Sequence, residues 1–302
     1  MIETISLLPG VTLRACRDTR FKQGCLSFQL VRQMDASEAA LNALLPSVLL
    51  RGTRNCPDLR SITEHLDELY GASVSPLVRR VGDYQTTGLY CGFMDDRFAL
   101  PGDKVLEPML RFLEELLLDS PLEDGAFLSA FVESEKKNLI ATIESELNDK
   151  RAYSMNRLLR ILCREDTFGV PRLGEVDQVE RITPRRLYDH YRKILKTSPI
   201  DIFYVGSAQP ETLRELLMPL VSKLGRSYVN LPAQTGFTSP AGGDHVQTME
   251  VSQGKLAMGF TTDITVDDDR YYGLLLANSI YGSGAHSRLF NTVREKMSLC
   301  YY

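Results

Sequence analysis

Few residues of this 302-residue chain have metal or nucleophile chemistry to offer, and their spacing withholds most of it. His65 opens His-Leu-Asp-Glu68, which sets an acid one turn on, but no second histidine follows at ligand spacing. It reads as a helix-surface residue. His190 falls in a charged helix and is expected to be exposed; His245 borders a linker and His286 sits in a glycine turn. The cysteines, at 16, 25, 56, 91, 163 and 300, form no Cys-x-x-Cys pair or zinc knuckle. Cys25 and Cys91 read as small buried thiols in strands. Gly282-Ser-Gly284 follows a helix, and no Gly-Lys-Ser/Thr comes after it, so it is a helix stop and not a phosphate loop. One pair remains. Arg294 and Tyr301, seven residues apart, fall at a helix end and a strand start. A guanidinium and a phenol there suit a peptide carbonyl, including one gaining oxyanion character. Spacing alone favours a surface arginine and a core tyrosine.

The elements that would position these groups follow from periodicity. Residues 11–16 and 25–32 read as the arms of a β-hairpin. Asp35 or Ser37 would cap a helix running through Leu50, with Pro46 inside it. A mid-helix proline costs about 3 kcal/mol, and a kink is expected there. Asp58 caps a second helix carrying Leu59, Ile62, Leu66 and Leu69 at helical spacing, ended by Gly71. Residues 72–80 and 84–93 form a second hairpin around Gly82-Asp83. Helices are expected over 104–119, 125–148 and 150–163, then one over 184–195 capped by Thr183, and a short buried strand over 200–205. The sum is an α+β unit with helices packed on one face of an antiparallel sheet.

Residues 227–245, rich in Pro, Gly, Ser and Thr, read as a linker between a first repeat at 1–226 and a second at 246–302. In the second, 246–251 and 256–262 are expected strands. Asp267, Asp268 and Asp269 suit the N-terminal dipole of a helix reaching Tyr281. A helix over 287–297 and a strand from Leu299 follow. A shift of 230 residues sets Leu44-Leu45 on Leu274-Leu275, Gly52 on Gly282, Leu59 on Leu289 and Leu69 on Leu299. The matched element order implies a duplicated fold whose second repeat is truncated.

Composition limits the rest. With 43% hydrophobic and 25% charged residues, the chain is an ordinary globular one with room for about two cores. A formal charge of −4 implies no broad basic face of the kind nucleic acid needs. The N-terminus has no basic region before an apolar run, and no stretch approaches the roughly 18 apolar residues of a membrane span. Scattered thiols fit a reducing compartment, so the expectation is cytoplasmic.

The segment Ala43-Leu-Leu-Pro-Ser-Val-Leu-Leu-Arg-Gly-Thr53 and the segment Ser287-Arg-Leu-Phe-Asn-Thr-Val-Arg-Glu-Lys-Met-Ser-Leu-Cys-Tyr301 together resemble the insulinase/pitrilysin family of metallopeptidases. In active members a helix carries His-x-x-Glu-His before a Gly-Thr turn, and a later helix supplies a third ligand as the second acid of Glu-x6-Glu. Two histidines one turn apart bind zinc and the glutamate is the general base. Aligned on that turn, the positions here are Ala43, Pro46 and Ser47. The outer acid is kept as Glu135, and the third ligand position is Thr142. The resemblance also implies that Arg294 and Tyr301 hold the substrate backbone and that strand 84–93 is the edge that receives an extended peptide.

Leu139-Ile-Ala-Thr-Ile-Glu-Ser-Glu-Leu-Asn-Asp-Lys-Arg-Ala-Tyr153 and Ser298-Leu-Cys-Tyr-Tyr302 are similar to the inactive Firmicutes-type members associated with the aminopentanol modification of elongation factor P. What the resemblance implies is a non-catalytic, substrate-binding subunit of a heterodimeric zinc metallopeptidase. It would have no metal of its own, and its partner would be an active zinc-bearing homologue. Peptide or protein would be the substrate, and neither nucleic acid nor membrane a partner. The alternative is a peptide-binding or scaffold protein with no role in proteolysis.

Overall fold

The computed structural model describes residues 2–231 and 242–300. It divides into two compact units, Met1–Ala257 and Met258–Tyr302. The first is built on a six-stranded sheet. Its strands are β1 (Ile2–Leu8), β2 (Val11–Arg17), β3 (Gln23–Gln33), β4 (Ser73–Val81), β5 (Tyr84–Met94) and β8 (Ile200–Gly206), in the order β1-β2-β8-β3-β5-β4. Period-two alternation decides the buried face. Val11, Leu13 and Ala15 of β2, Ile200, Ile202 and Tyr204 of β8, and Leu26, Phe28 and Leu30 of β3 are all buried, while Arg14 is exposed and Asp201 only half-buried. Arg14 Nε and Asp201 Oδ1 pair at 3.0 Å on the other face.

Two expectations about this sheet need correction. β2 and β3 are not a hairpin, because β8 lies between them. The sheet is also mixed: β8 runs parallel to β2 and antiparallel to β3. Both features come from a strand that returns after more than 160 residues, which no local signal encodes. The other hairpin, β4–β5, forms as read, with Gly82 at φ 56° in its turn.

Helices α1 (Ala39–Leu49), α2 (Leu59–Glu68), α3 (Leu106–Leu118), α4 (Ser129–Ser145), α5 (Lys150–Leu162), α6 (Val176–Glu180), α7 (Pro184–Thr197) and α8 (Pro210–Lys223) complete the unit, with a two-residue pairing of β6 (Leu122–Glu123) and β7 (Ala126–Phe127) before α4. Asp58 accepts from Ser61 N at 2.8 Å, and Thr183 Oγ1 from Arg186 N at 3.2 Å, so both of these expected caps are made. Asp35 instead binds Ser37 at 2.6 Å from its amide, and α1 starts at Ala39 without a side-chain cap.

The second unit holds helix α9 (Tyr271–Gly282) and a π-helical segment, Phe290–Lys296. They stand in the repeat positions of α1 and α2. Residues 246–251 and 256–262 are not strands. Their apolar side chains stand in solvent, Val246 at 92% exposure and Leu256 at 84%. A strand needs a neighbour to take its backbone N–H and C=O groups, and no described segment pairs with these. No helix among the described residues is long and apolar enough to cross a membrane.

Candidate functional site

Helix α1 is apolar all round, the pattern of a helix enclosed on every side. All of its residues but Ser47 are buried. It packs against β4, β5, α4, α6 and α7. Pro46 has no N–H, so the carbonyl four residues back, that of Asn42, loses its helical partner. The structure replaces it: Thr87 Oγ1 donates to Asn42 O at 2.6 Å from the adjoining strand. This is why a proline is tolerated inside a buried helix.

The four positions that would hold a metal site offer no metal donor set. Ala43 and Pro46 are buried in α1, and Ser47 is half-buried. Thr142, on α4, is exposed and spends its hydroxyl on Asn138 O at 2.8 Å. The retained acid Glu135 is buried, and its two oxygens face Arg51 Nη1 at 3.3 Å and Asn138 Nδ2 at 3.1 Å. Arg51 also lies 5.7 Å from the Phe131 ring centre, so this acid ties the end of α1 to α4. Zinc does not fit these residues: alkyl side chains cannot bind it, and the one remaining carboxylate is committed to a guanidinium and an amide. Among the described residues no group of three or more His, Cys, Asp or Glu is placed to hold a metal.

The Gly-Thr turn survives for structural reasons. A Cβ on Gly52 would meet Pro57 O at 2.7 Å, closer than real contacts allow. Thr53 Oγ1 accepts from Cys56 N at 2.9 Å and donates to Glu115.

Beside α1 lies a polar cluster that sequence reading missed. Gln85 Nε2 donates to the carbonyls of Ala39 (3.1 Å) and Arg172 (2.7 Å). Since carbonyls only accept, Gln85 Oε1 must receive Asn42 Nδ2 at 2.8 Å. Asn42 Oδ1 is then the acceptor for His190 Nε2 at 2.7 Å, which places a proton on Nε2. His190 is only 7% exposed, which corrects the expectation of a surface histidine. Burial lowers its pKa from 6.5 to about 4, against an opposing pull from Glu38. Glu38 is gripped by Arg32 (2.6 Å) and Lys193 (2.8 Å), and these bonds hold its carboxyl below the ordinary range although burial pushes it up. Two signals could have revealed the cluster: a lone amide within an apolar helix, and the spacing of His190 with Leu187, Tyr191 and Ile194 on one face of α7.

His65 is half-buried, its ring 4.6 Å from that of Phe112. Arg294 sits on the π-helical segment, half-buried, with its guanidinium 4.6 Å from the Phe290 ring centre and Nε 3.6 Å from Glu295. Tyr301 lies outside the described residues. Strand 84–93 is not an edge. It is β5, hydrogen-bonded to β3 on one side and β4 on the other, so its backbone cannot receive a peptide strand. β1 and β4 are the edges of this sheet.

A buried helix in the place of a metal-binding one, beneath a helix-covered sheet, defines a peptidase-like fold whose metal-site positions carry no metal donors. The chain belongs to the M16 peptidase family, as an inactive member. Its residues 181–302 match the Peptidase M16 inactive domain. It is 31% identical over 293 residues to the probable inactive metalloprotease YmfF of Bacillus subtilis (strain 168), which covers 97% of this chain and 69% of that protein. A conserved protein from Enterococcus faecalis V583 has a similar structure, with a TM-score of 0.86 at 25% identity over 100% of this chain and 71% of the other. The peptidase M16 inactive domain from Pseudomonas fluorescens shares the fold, with a TM-score of 0.65 at 17% identity, covering 98% and 68%.

Proposed function

We propose that this chain is the non-catalytic, substrate-binding subunit of a heterodimeric zinc metallopeptidase in the cytoplasm. Its partner, a homologue with an intact His-x-x-Glu-His helix, supplies zinc and general base. Arg294 and Tyr301 hold the peptide backbone. The observation that carries this reading is asymmetric loss. None of the four metal-site positions carries a histidine, cysteine or carboxylate, whereas the segment 294–301 keeps an arginine and a tyrosine at its two ends. A guanidinium and a phenol have no use for zinc; their chemistry is that of carbonyl recognition. By the same resemblance, the subunit is linked to the modification of elongation factor P. The six free cysteines support a reducing compartment.

The test combines metal analysis and reconstitution. The purified chain should retain no stoichiometric zinc and cleave no peptide. Adding the zinc-bearing homologue from the same host should give a complex that cleaves. In that complex, Arg294→Ala with Tyr301→Phe should depress turnover without dissolving the pair. A complex that forms but turns over normally with both substitutions would remove the proposed role. A homologue that works equally well alone would leave a scaffold in place of a substrate-binding subunit.

A further inference from the structure

A second site lies in the first unit, away from the degenerate metal positions. The end of α3, the short strand β6, the middle of α7 and the end of α8 surround a cleft of about 570 Å³, within the size range of small-molecule sites. Its base is apolar. Leu117, Leu195 and Leu224 are buried there, and the Tyr191 phenol closes it by donating to Leu117 O. Leu122, which also lines it, is left 43% exposed.

The rim carries the opposite chemistry. Arg192, Lys193, Lys196 and Lys223 all border the cleft. Two are neutralised, Lys193 by Glu38 at 2.8 Å and Lys223 by Glu114. The other two are not. Arg192 stands 5.9 Å from the Tyr188 ring centre and 3.5 Å from its hydroxyl, with no ion-pair partner among the described residues. Lys196 has neither an ion pair nor a side-chain hydrogen bond among them; only its backbone carbonyl is bonded, to Ser227 N at 2.9 Å. Ser120, on the wall, has a buried hydroxyl with no hydrogen-bond partner among the described residues.

Helix ends explain part of this. Lys196 and Lys223 fall in the last turns of α7 and α8, where a cation complements the helix dipole. Arg192 is in the interior of α7, and no dipole argument covers it. Nor does one cover an apolar hollow beneath a cationic rim. That pairing is the one that receives a molecule with one charged end and one greasy end.

We propose that this cleft binds an amphipathic anion. A carboxylate or phosphate head engages Arg192 and Lys196, and an alkyl body lies on the leucines. Guanidinium and ammonium groups serve either head, so the two sources are separated by experiment.

The 302-residue chain is titrated calorimetrically with dodecanoate, dodecyl phosphate, dodecanol and dodecyltrimethylammonium, each below its micelle concentration. At least one anion should saturate at one equivalent, and the tighter of the two identifies the natural head group. The alcohol and the cation should bind about tenfold more weakly or not at all. Arg192→Gln with Lys196→Gln, both exposed, should weaken the anion about tenfold with an unchanged circular dichroism spectrum; Lys196→Gln alone serves if the pair disturbs the fold. The exposed apolar residues of α9, such as Tyr272 and Leu276, would adsorb any alkyl chain whatever its head. Equal binding of dodecanol, or an anion affinity unmoved by the variants, therefore overturns the proposal, as does failure of both anions to saturate.

Discussion

Mild acid should loosen the first unit through one histidine. His190 donates from Nε2 to Asn42 and is held at a pKa of about 4 against the ordinary 6.5, chiefly by burial. Arg32, Lys193 and Arg186 push it the same way, and Glu38 opposes them. A base with a lowered folded pKa takes up protons more readily unfolded. Its contribution to stability is therefore complete above pH 6.5, falls as the pH drops through 6.5 toward 4, and is constant below that. At 1.36 kcal/mol per pKa unit the full loss is about 3 kcal/mol, of which about 2 kcal/mol is already present at about pH 5. Stability of a whole domain is only about 5–15 kcal/mol, so the effect is large enough to measure.

Glu38 does not confuse this window. Its pKa is lowered from 4.5, so the support it lends is lost only as the pH falls through that lower value. The assay is urea unfolding at several pH values between about 5 and 7.5, read by circular dichroism and by tyrosine emission, since the chain has no tryptophan. His190→Gln keeps an N–H donor near the Nε2 position and removes the titration. Wild type should lose about 2 kcal/mol across the range, and the variant less than about 0.5 kcal/mol. Equal slopes in the two proteins would refute the assignment, because the acid sensitivity would then come from elsewhere.

Three further outcomes can be checked. Thr87→Val leaves the buried carbonyl of Asn42 without a donor and should cost about 1–3 kcal/mol in urea unfolding; in a Pro46→Ala background the restored N–H should recover most of that loss. Gly52→Ala drives a methyl group to 2.7 Å from Pro57 O and should cost about 1–3 kcal/mol, read as a lowered melting temperature, whereas Gly71→Ala has open space and is strained only by its φ of 70°. In the reconstituted complex, Arg294→Ala with Tyr301→Phe should lower kcat/KM about 10²-fold if the two donors act on developing charge, as measured with a fluorogenic peptide.

The parts of this fold legible in the sequence are those whose cause is local. The β4–β5 hairpin turns at Gly82-Asp83, and Asp58 and Thr183 cap the helices that follow them. What was hidden depends on distant partners. β8 separates β2 from β3 although its own sequence reads only as a strand. Residues 246–262 alternate like strands and remain unpaired, because a pattern specifies a face and cannot supply a neighbour. The charged residues around His190, among them Arg185, Arg186, Asp189 and Lys193, hide its place beside Leu187, Tyr191 and Ile194 on the buried face of α7. At the degenerate site, the missing donors were plain in the letters, but the use made of their replacements was not.

That use explains why the loss would be hard to reverse. In an active relative of this fold, the resemblance places one side of α1 toward water and metal. Here Ala43 and Pro46 are enclosed, and Asn42, between Leu41 and Ala43, anchors the helix to Gln85 and His190. An imidazole at Ala43 would have to enter packed surroundings, and overpacking alone costs about 1–3 kcal/mol. A carboxylate at Pro46 would carry a burial penalty, and its new backbone N–H would compete with Thr87 for Asn42 O. Proline, threonine and asparagine have become a mutually dependent set. The helix is now explained by its packing, and reinstating three ligands and the base would demand that α1, β5 and α7 be rebuilt together.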